Sequence, residues 1–315
     1  MAVVAIVGTG LIGRAWAITF ARAGHEVRLH DEAAGAAEKA IAFAREMAKP
    51  LETEGLLDGQ TADQLVARMK PAPDLAAALA GAAHVQENTP EDVAVKQKVY
   101  AALDASAAPE TVLASSTSAI LPSKFTETLK GRGRCLVMHP INPPYLIPAV
   151  EIVPAPWTDP AAVEKTRKLA VASGPAPIVM KRELDGFVMN RMQGALLEEA
   201  FRLVADGYAS VEDVDVGIRE GLALRWSFMG PFETIDLNAP GGVKDYCERY
   251  QQIYSRLFPS MQRRVDWSGE VMKTVEKERR AKLPEGDLQK RHAWRDRRLM
   301  ALIAHKRKAA KDIGS

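Results

Sequence analysis

VVAIVGTGLIGRAWAITFARAG, residues 3–24, decides how the rest of the chain is read. Val3–Val7 is an unbroken apolar run, mostly β-branched, which suits a strand covered on both faces. A glycine turn follows, and from Leu11 the spacing becomes helical until Gly24. Within GTGLIG, Gly8 suits the tight turn, Gly10 lets the main chain approach a ligand, and Gly13 lets the helix lie close to the strand. Leu11 and Ile12 open a helix whose free N–H groups and positive dipole end favour a pyrophosphate. GxGxxG alone is weak, but between a strand and a helix it reads as a dinucleotide loop. The next apolar run, HEVRLHD, ends in Asp31, eighteen residues beyond Gly13. A carboxylate there accepts hydrogen bonds from ribose hydroxyls and repels a 2′-phosphate, so NAD is expected rather than NADP.

Strand and helix patterns then alternate. HVQEN, TVLASST, CLVMHP and AVEIVP read as further strands, with helical segments between them such as AAEKAIAFAREMAK, ending before Pro50. That alternation implies α/β architecture: an N-terminal, doubly wound Rossmann domain with a parallel sheet, over residues 1–182. Beyond it, DGFVMNRMQGALLEEAFRLVADG reads as a helix capped by Asp185 and closed at Gly207. SVEDVDVGIREG follows with a capping box, Ser210 and Asp213. No convincing strand comes later, so residues 183–315 are expected to form an all-helical domain for substrate binding and dimerisation.

The 315 residues are 47% hydrophobic and 26% charged, ordinary for a globular protein of two domains. Lys plus Arg is 42 against 40 for Asp plus Glu, which gives no reason to expect nucleic acid or a membrane as partner. A basic tail, QKRHAWRDRRLM and HKRKAAKD, fits a charged helix with Trp294, Leu299, Met300 and Ile303 on its apolar side. It reads as solvated or subunit-facing. Cys135 and Cys247 are the two cysteines, with no CxxC pair, pointing to a reducing, cytoplasmic setting. There is no HExxH and no ligand spacing among the histidines, so no metal is expected.

In MHPINPPYLIPAVEIVP, residues 138–154, four prolines stiffen the connection between His139 and Glu151. Oxidising an alcohol needs a base for the hydroxyl proton, and an imidazole suits that role. A carboxylate behind the ring fixes its tautomer and stabilises the imidazolium. Rigid backbone between two strand ends would hold such a pair, because small misplacement costs rate. Spacing alone equally allows a structural histidine beside a surface glutamate. SSTSAI leaves Ser118 at a strand's carboxyl end, and Asn190 lies near the start of the second domain's first helix. Either suits a hydrogen bond to a substrate oxygen or a helix cap.

Ser118, His139, Glu151 and Asn190, spaced by 21, 12 and 51 residues from serine to histidine, histidine to glutamate and histidine to asparagine, resemble the L-3-hydroxyacyl-CoA dehydrogenase superfamily. The words SSTS, HPINPPY and GFVMNR match as well, over nearly the whole chain. The resemblance implies NAD-dependent oxidation of a 3-hydroxyl, with these four residues catalytic, Ser118 and Asn190 also touching substrate, and a homodimer. EDVAVK resembles the segment near the nicotinamide, which implies cofactor contacts from Glu91 and Lys96. Within the superfamily, GPFETIDLN and KDYCERY look like the lambda-crystallin-type L-gulonate 3-dehydrogenases. That implies a small, free 3-hydroxy acid as substrate. LRWSFMG also resembles carnitine dehydrogenases. A free carboxylate calls for a guanidinium, and Arg225 is the candidate, the alternative being a salt bridge within the helical domain. An acyl-CoA substrate would call for a basic cleft, where KPAPDLAAALAG offers only Lys70. A crystallin-like structural role is the non-enzymatic alternative.

Overall fold

The alternation of the first half becomes one eight-stranded sheet in the computed structural model, which describes residues 1–314. Its strands are β1 (Val3–Val7), β2 (Glu26–His30), β3 (Met69–Pro71), β4 (Ala82–Glu87), β5 (Val112–Ser115), β6 (Cys135–Pro140), β7 (Ala149–Pro154) and β8 (Ala176–Val179). They lie in the order β3-β2-β1-β4-β5-β6-β7-β8. Strand order reverses between β1 and β4, which places a crevice at their carboxyl ends, after Val7 and Glu87. Both faces of β1 are covered. Val4 and Ile6 join one apolar cluster with Trp16, Ile18 and Phe20, while Ala5 and Val7 join another with Tyr100 and Phe125.

The sheet differs from the expected parallel one in three places. β6 and β7 pair antiparallel, because their stiff connection turns the chain straight back. β3 was not anticipated: it has three residues, sits at the sheet's edge and contains Pro71, which an edge strand tolerates. β8 at the other edge was not anticipated either: it has four residues, contains Pro177 and is partly exposed.

Helix boundaries moved too. The helix Ala36–Thr53 runs through Pro50, and fully buried Leu51 anchors its last turn. The helix expected from Asp185 begins at Met189. Gly186 and Phe187 take left-handed backbone, with φ of 76° and 50°, so the segment turns before it can coil.

The chain divides into two compact units. One comprises Met1–Met189 with Asp296–His305; the other comprises Asn190–Arg295 with the residues after His305. This differs from a boundary at residue 182 chiefly in the tail. In the helix Leu288–Ile313, Met300 is buried and packs with Leu299 and Ile303 against the first unit's core. Those three side chains therefore face the first unit's core, while Leu302 beside them is exposed. Trp294 stays 41% exposed, with the Arg291 guanidinium 3.3 Å from its ring centre.

Among the described residues the second unit is helical throughout. Ser210 and Asp213 form the expected capping box on the helix Val211–Val216. Buried Arg202 donates to the Arg263 carbonyl through Nε and Nη2 at 3.0 and 2.6 Å. Among the described residues no helix is long and apolar enough to cross a membrane.

Candidate active site

The glycine loop has the geometry its sequence requires. Gly8 adopts φ 84°, and a Cβ there would fall 2.8 Å from the Asn88 carbonyl carbon. A Cβ on Gly13 would fall 2.0 Å from the Gly8 carbonyl oxygen. Around Gly10 nothing lies within 4 Å, and Leu11 beside it is 57% exposed. Ile12 packs inward on the core. The loop thus presents open main chain at the start of the helix Leu11–Arg22, the surface a pyrophosphate needs.

Asp31 closes that loop. Its Oδ2 accepts from the Thr9 N–H at 2.6 Å and the Thr9 hydroxyl at 3.0 Å, and its Oδ1 from the Ala33 N–H at 3.0 Å. Burial pushes the carboxyl's pKa up, but these hydrogen bonds outweigh it and hold the group below its ordinary value. An anionic carboxylate at the end of β2 and an uncovered Gly10 fit an NAD molecule. Thr9, the variable position of the motif, was not singled out from sequence.

His139 and Glu151 are register partners across β6 and β7. Nδ1 of His139 lies 2.7 Å from Oε2 of Glu151, with both residues buried. Glu151 Oε1 accepts from the main-chain N–H of Val188 at 2.6 Å and of Met189 at 2.8 Å. The left-handed turn at Gly186 and Phe187 aims those two groups. It also brings the Phe187 ring to 5.5 Å from the imidazole. With Glu151 accepting throughout, the imidazole donates from Nδ1 and keeps Nε2 as its basic nitrogen. The proline-rich connection is itself anchored, since Tyr145 and Leu146 are buried and Arg22 Nη1 donates to the Tyr145 carbonyl at 2.8 Å.

Ser118 follows β5 and is exposed. Glu91 fixes its loop by accepting from the Thr117 hydroxyl at 2.6 Å and from the N–H groups of Ser118 and Ala119 at 2.9 and 3.0 Å. Lys96 lies beneath, 1% exposed, with its ammonium 3.1 Å from both oxygens of buried Glu87 and 4.0 Å from Glu91. Its charge is met chiefly inside the protein. Ser115 donates to Glu87 as well, at 2.5 Å. The one sequence signal for Glu87 was a carboxylate inside the strand HVQEN.

The second unit holds the other two candidates. Asn190 is the second residue of the helix Met189–Ala205. Arg225, on the helix Ala223–Trp226, donates from Nη1 to the Asn238 side-chain oxygen at 3.3 Å. Its neighbour is an amide, so the expected alternative of a salt bridge gives way to a neutral contact, and among the described residues Arg225 forms no ion pair.

A dinucleotide loop ending in an acid, with a histidine–carboxylate pair on the same sheet, defines an NAD-dependent dehydrogenase. Residues 3–183 match the 3-hydroxyacyl-CoA dehydrogenase NAD binding domain and residues 186–280 match the C-terminal domain of the same enzymes. The chain belongs to the 3-hydroxyacyl-CoA dehydrogenase family. It is 42% identical over 302 residues to the lambda-crystallin homolog of Bos taurus, covering 95% of this chain and 94% of the relative. L-carnitine dehydrogenase of Streptomyces griseus is 40% identical over 248 residues, covering 78% of this chain and 73% of that one. Among solved structures, 5-formyl-3-hydroxy-2-methylpyridine 4-carboxylic acid 5-dehydrogenase, an NAD+-dependent dismutase, superposes with a TM-score of 0.81 at 29% identity, covering 98% of each chain.

Proposed function

We propose that the protein oxidises the 3-hydroxyl of a small, free 3-hydroxy acid, L-gulonate to 3-dehydro-L-gulonate. The observation that carries this reading is the buried His139–Glu151 contact of 2.7 Å. His139 Nε2 takes the hydroxyl proton, and Glu151 holds the ring and stabilises the imidazolium. Bound NAD supplies the hydride acceptor, held by Gly8, Gly10, Leu11, Ile12, Gly13 and Asp31, with Glu91 and Lys96 shaping the nicotinamide end. Ser118 and Asn190 hydrogen-bond the reacting oxygen, roles that rest on the family motif. Arg225 takes the substrate carboxylate, supported by its contact with an amide, Asn238, and by its forming no ion pair among the described residues.

The substrate class rests on two further supports. Identity to lambda-crystallin homologs extends over nearly the whole chain. Lys70, the basic group the CoA reading would use, is 3.6 Å from Glu26 and already paired. A second reading, carnitine, is favoured by the relative of that name and by the exposed rings of Phe228 and Phe232, since aromatic faces attract a quaternary ammonium. Initial rates with NAD against L-gulonate, carnitine, 3-hydroxybutyrate and its CoA thioester separate these. Gulonate should give the highest kcat/KM, and a tenfold preference for another member would replace it.

The working form in this proposal is a cytoplasmic homodimer. Its support is the helix Gly242–Leu257, which buries no residue in the single chain and exposes Val243, Tyr250, Ile253, Tyr254 and Leu257. Such a stripe suits a self-complementary interface.

A further inference from the structure

Beneath the crevice a chain of polar side chains crosses an otherwise apolar core. The Gln86 amide nitrogen donates to Ser116 Oγ at 2.7 Å and to the Met138 carbonyl at 3.0 Å. Ser116 Oγ also accepts from Trp16 Nε1 at 3.0 Å and donates to Asn88 Oδ1 at 2.7 Å. Asn88 in turn donates to the Gln86 carbonyl at 2.8 Å. At the far end, His84 Nε2 lies 3.0 Å from Gln86 Oε1. The Gln86 nitrogen has spent both protons, so its oxygen accepts and His84 carries its proton on Nε2. Every group of Gln86 and Ser116 is therefore used.

The place where this network ends is informative. The β5–β6 ladder stops at Ser115 and Val137, one residue short of Met138. Beyond that point β6 has β7 on one side only, and Gln86 supplies the bond that the ladder no longer gives. Met138 directly precedes His139. Trp16 lies at the network's other end, on the helix that begins at the glycine loop, and Asn88 backs Gly8. Gln86, Ser116, Asn88, Trp16 and the Met138 carbonyl thus link the dinucleotide loop to the backbone of the base.

We infer that Gln86, acting with Ser116, is a positioning residue that sets the spacing between the cofactor-binding helix and the strand carrying His139. Neither side chain needs to touch substrate. This rests on the reading of His139 as base, and it adds a residue outside the four-residue motif. Displacements well under an ångström at the reacting atoms suffice to slow such a reaction while binding persists.

The test uses the full-length protein, NAD and whichever acid of the panel the parent oxidises fastest. Gln86→Met keeps length and loses both donors. It should lower kcat about tenfold while KM for the acid and the NADH Kd from fluorescence titration stay within twofold. Hydrogen–deuterium exchange across residues 136–140 should rise. Ser116→Thr, which retains the hydroxyl, should keep kcat within twofold. A Gln86→Met protein with parental kcat and only a lower Tm would overturn the inference. Should Gln86→Met fail to fold, Ser116→Ala carries the same expectation at about threefold, and parental kcat there overturns it. His139→Gln measured alongside separates the failures: if it stays active the base reading falls, and if it is inactive while Gln86→Met is not, only the positioning role falls.

Discussion

Two helices show how differently the two units are finished. Leu11–Arg22 buries nine of its twelve residues, among them Trp16 and Phe20. Gly242–Leu257 is longer, has an apolar stripe at helical spacing, and buries none of its sixteen. Side chains such as Ile253 and Leu257, 45% and 47% exposed, each forgo about half of the roughly 1.5–3 kcal/mol that full burial gives. The first unit covers its core with its own residues, and Asp31, Glu87 and Glu151 are each paired around the crevice. The second leaves an apolar stripe uncovered in the single chain. On the proposed reading the proton-transfer pair lies in the first unit, while Asn190, Arg225 and the exposed stripe lie in the second.

The comparison breaks first at His139. If the first unit holds the whole proton-transfer machinery, His139→Gln should lower kcat on the order of a hundredfold or more, with NADH affinity retained. Glu151→Gln should follow it closely, since an amide supplies no charge to the imidazolium and places an NH₂ or a neutral oxygen against the Val188 and Met189 N–H groups. Steady-state rates near the parent's for both variants would move the base elsewhere.

Next comes the exposed stripe. Leu257→Glu puts a charge into the exposed stripe and should weaken self-association about thirtyfold, the effect of losing one strong interface anchor. Sedimentation over a range of concentrations reads this directly. A parent that stays monomeric at every concentration would mean that another partner covers the face. Substrate recognition should then show a smaller change: Arg225→Met should raise KM for the acid about tenfold with kcat little altered, as expected for losing a charge-assisted contact present in ground and transition states. An unchanged KM would return Arg225 to its structural contact with Asn238.

The same contrast explains what was legible in the sequence. β1, its glycine loop and the place of Asp31 were readable because each step needs a specific residue type: β-branched residues for a buried strand, glycine where a Cβ would collide, a carboxylate at the end of β2. The His139–Glu151 pairing was readable as far as two strand ends joined by prolines, and the antiparallel turn was not, since local patterning does not encode strand direction. The late start of the helix at Met189 is not legible in DGFVMNRMQG, because Phe187 suits a helical apolar pattern while its backbone is left-handed. Lys96 shows the limit of motif matching: the position is kept, but its ammonium is buried on Glu87, a partner nine residues away that no local pattern indicates. Met300 illustrates the converse, because an apolar stripe on a basic helix does not say which core it meets.

The smallest expected effect concerns acid. His84 is fully buried in the first unit, and that burial lowers its pKa from 6.5 to about 4. In the unfolded chain the imidazole protonates as pH falls through 6.5, while in the folded protein it resists until about 4. The unfolded state therefore binds more protons across that window, and stability, full above pH 6.5, declines as pH falls toward 4. Near pH 5.5 the loss from this one group is about 1 kcal/mol. His84→Gln removes the titration, so the difference between parent and variant in urea midpoint should shift over this window and flatten outside it. The shift belongs to the unfolding of the first unit, so a two-step denaturation profile should show it in one transition and leave the other unmoved. If both transitions moved together, the two units would be unfolding as one, and the contrast between them would lose its thermodynamic meaning.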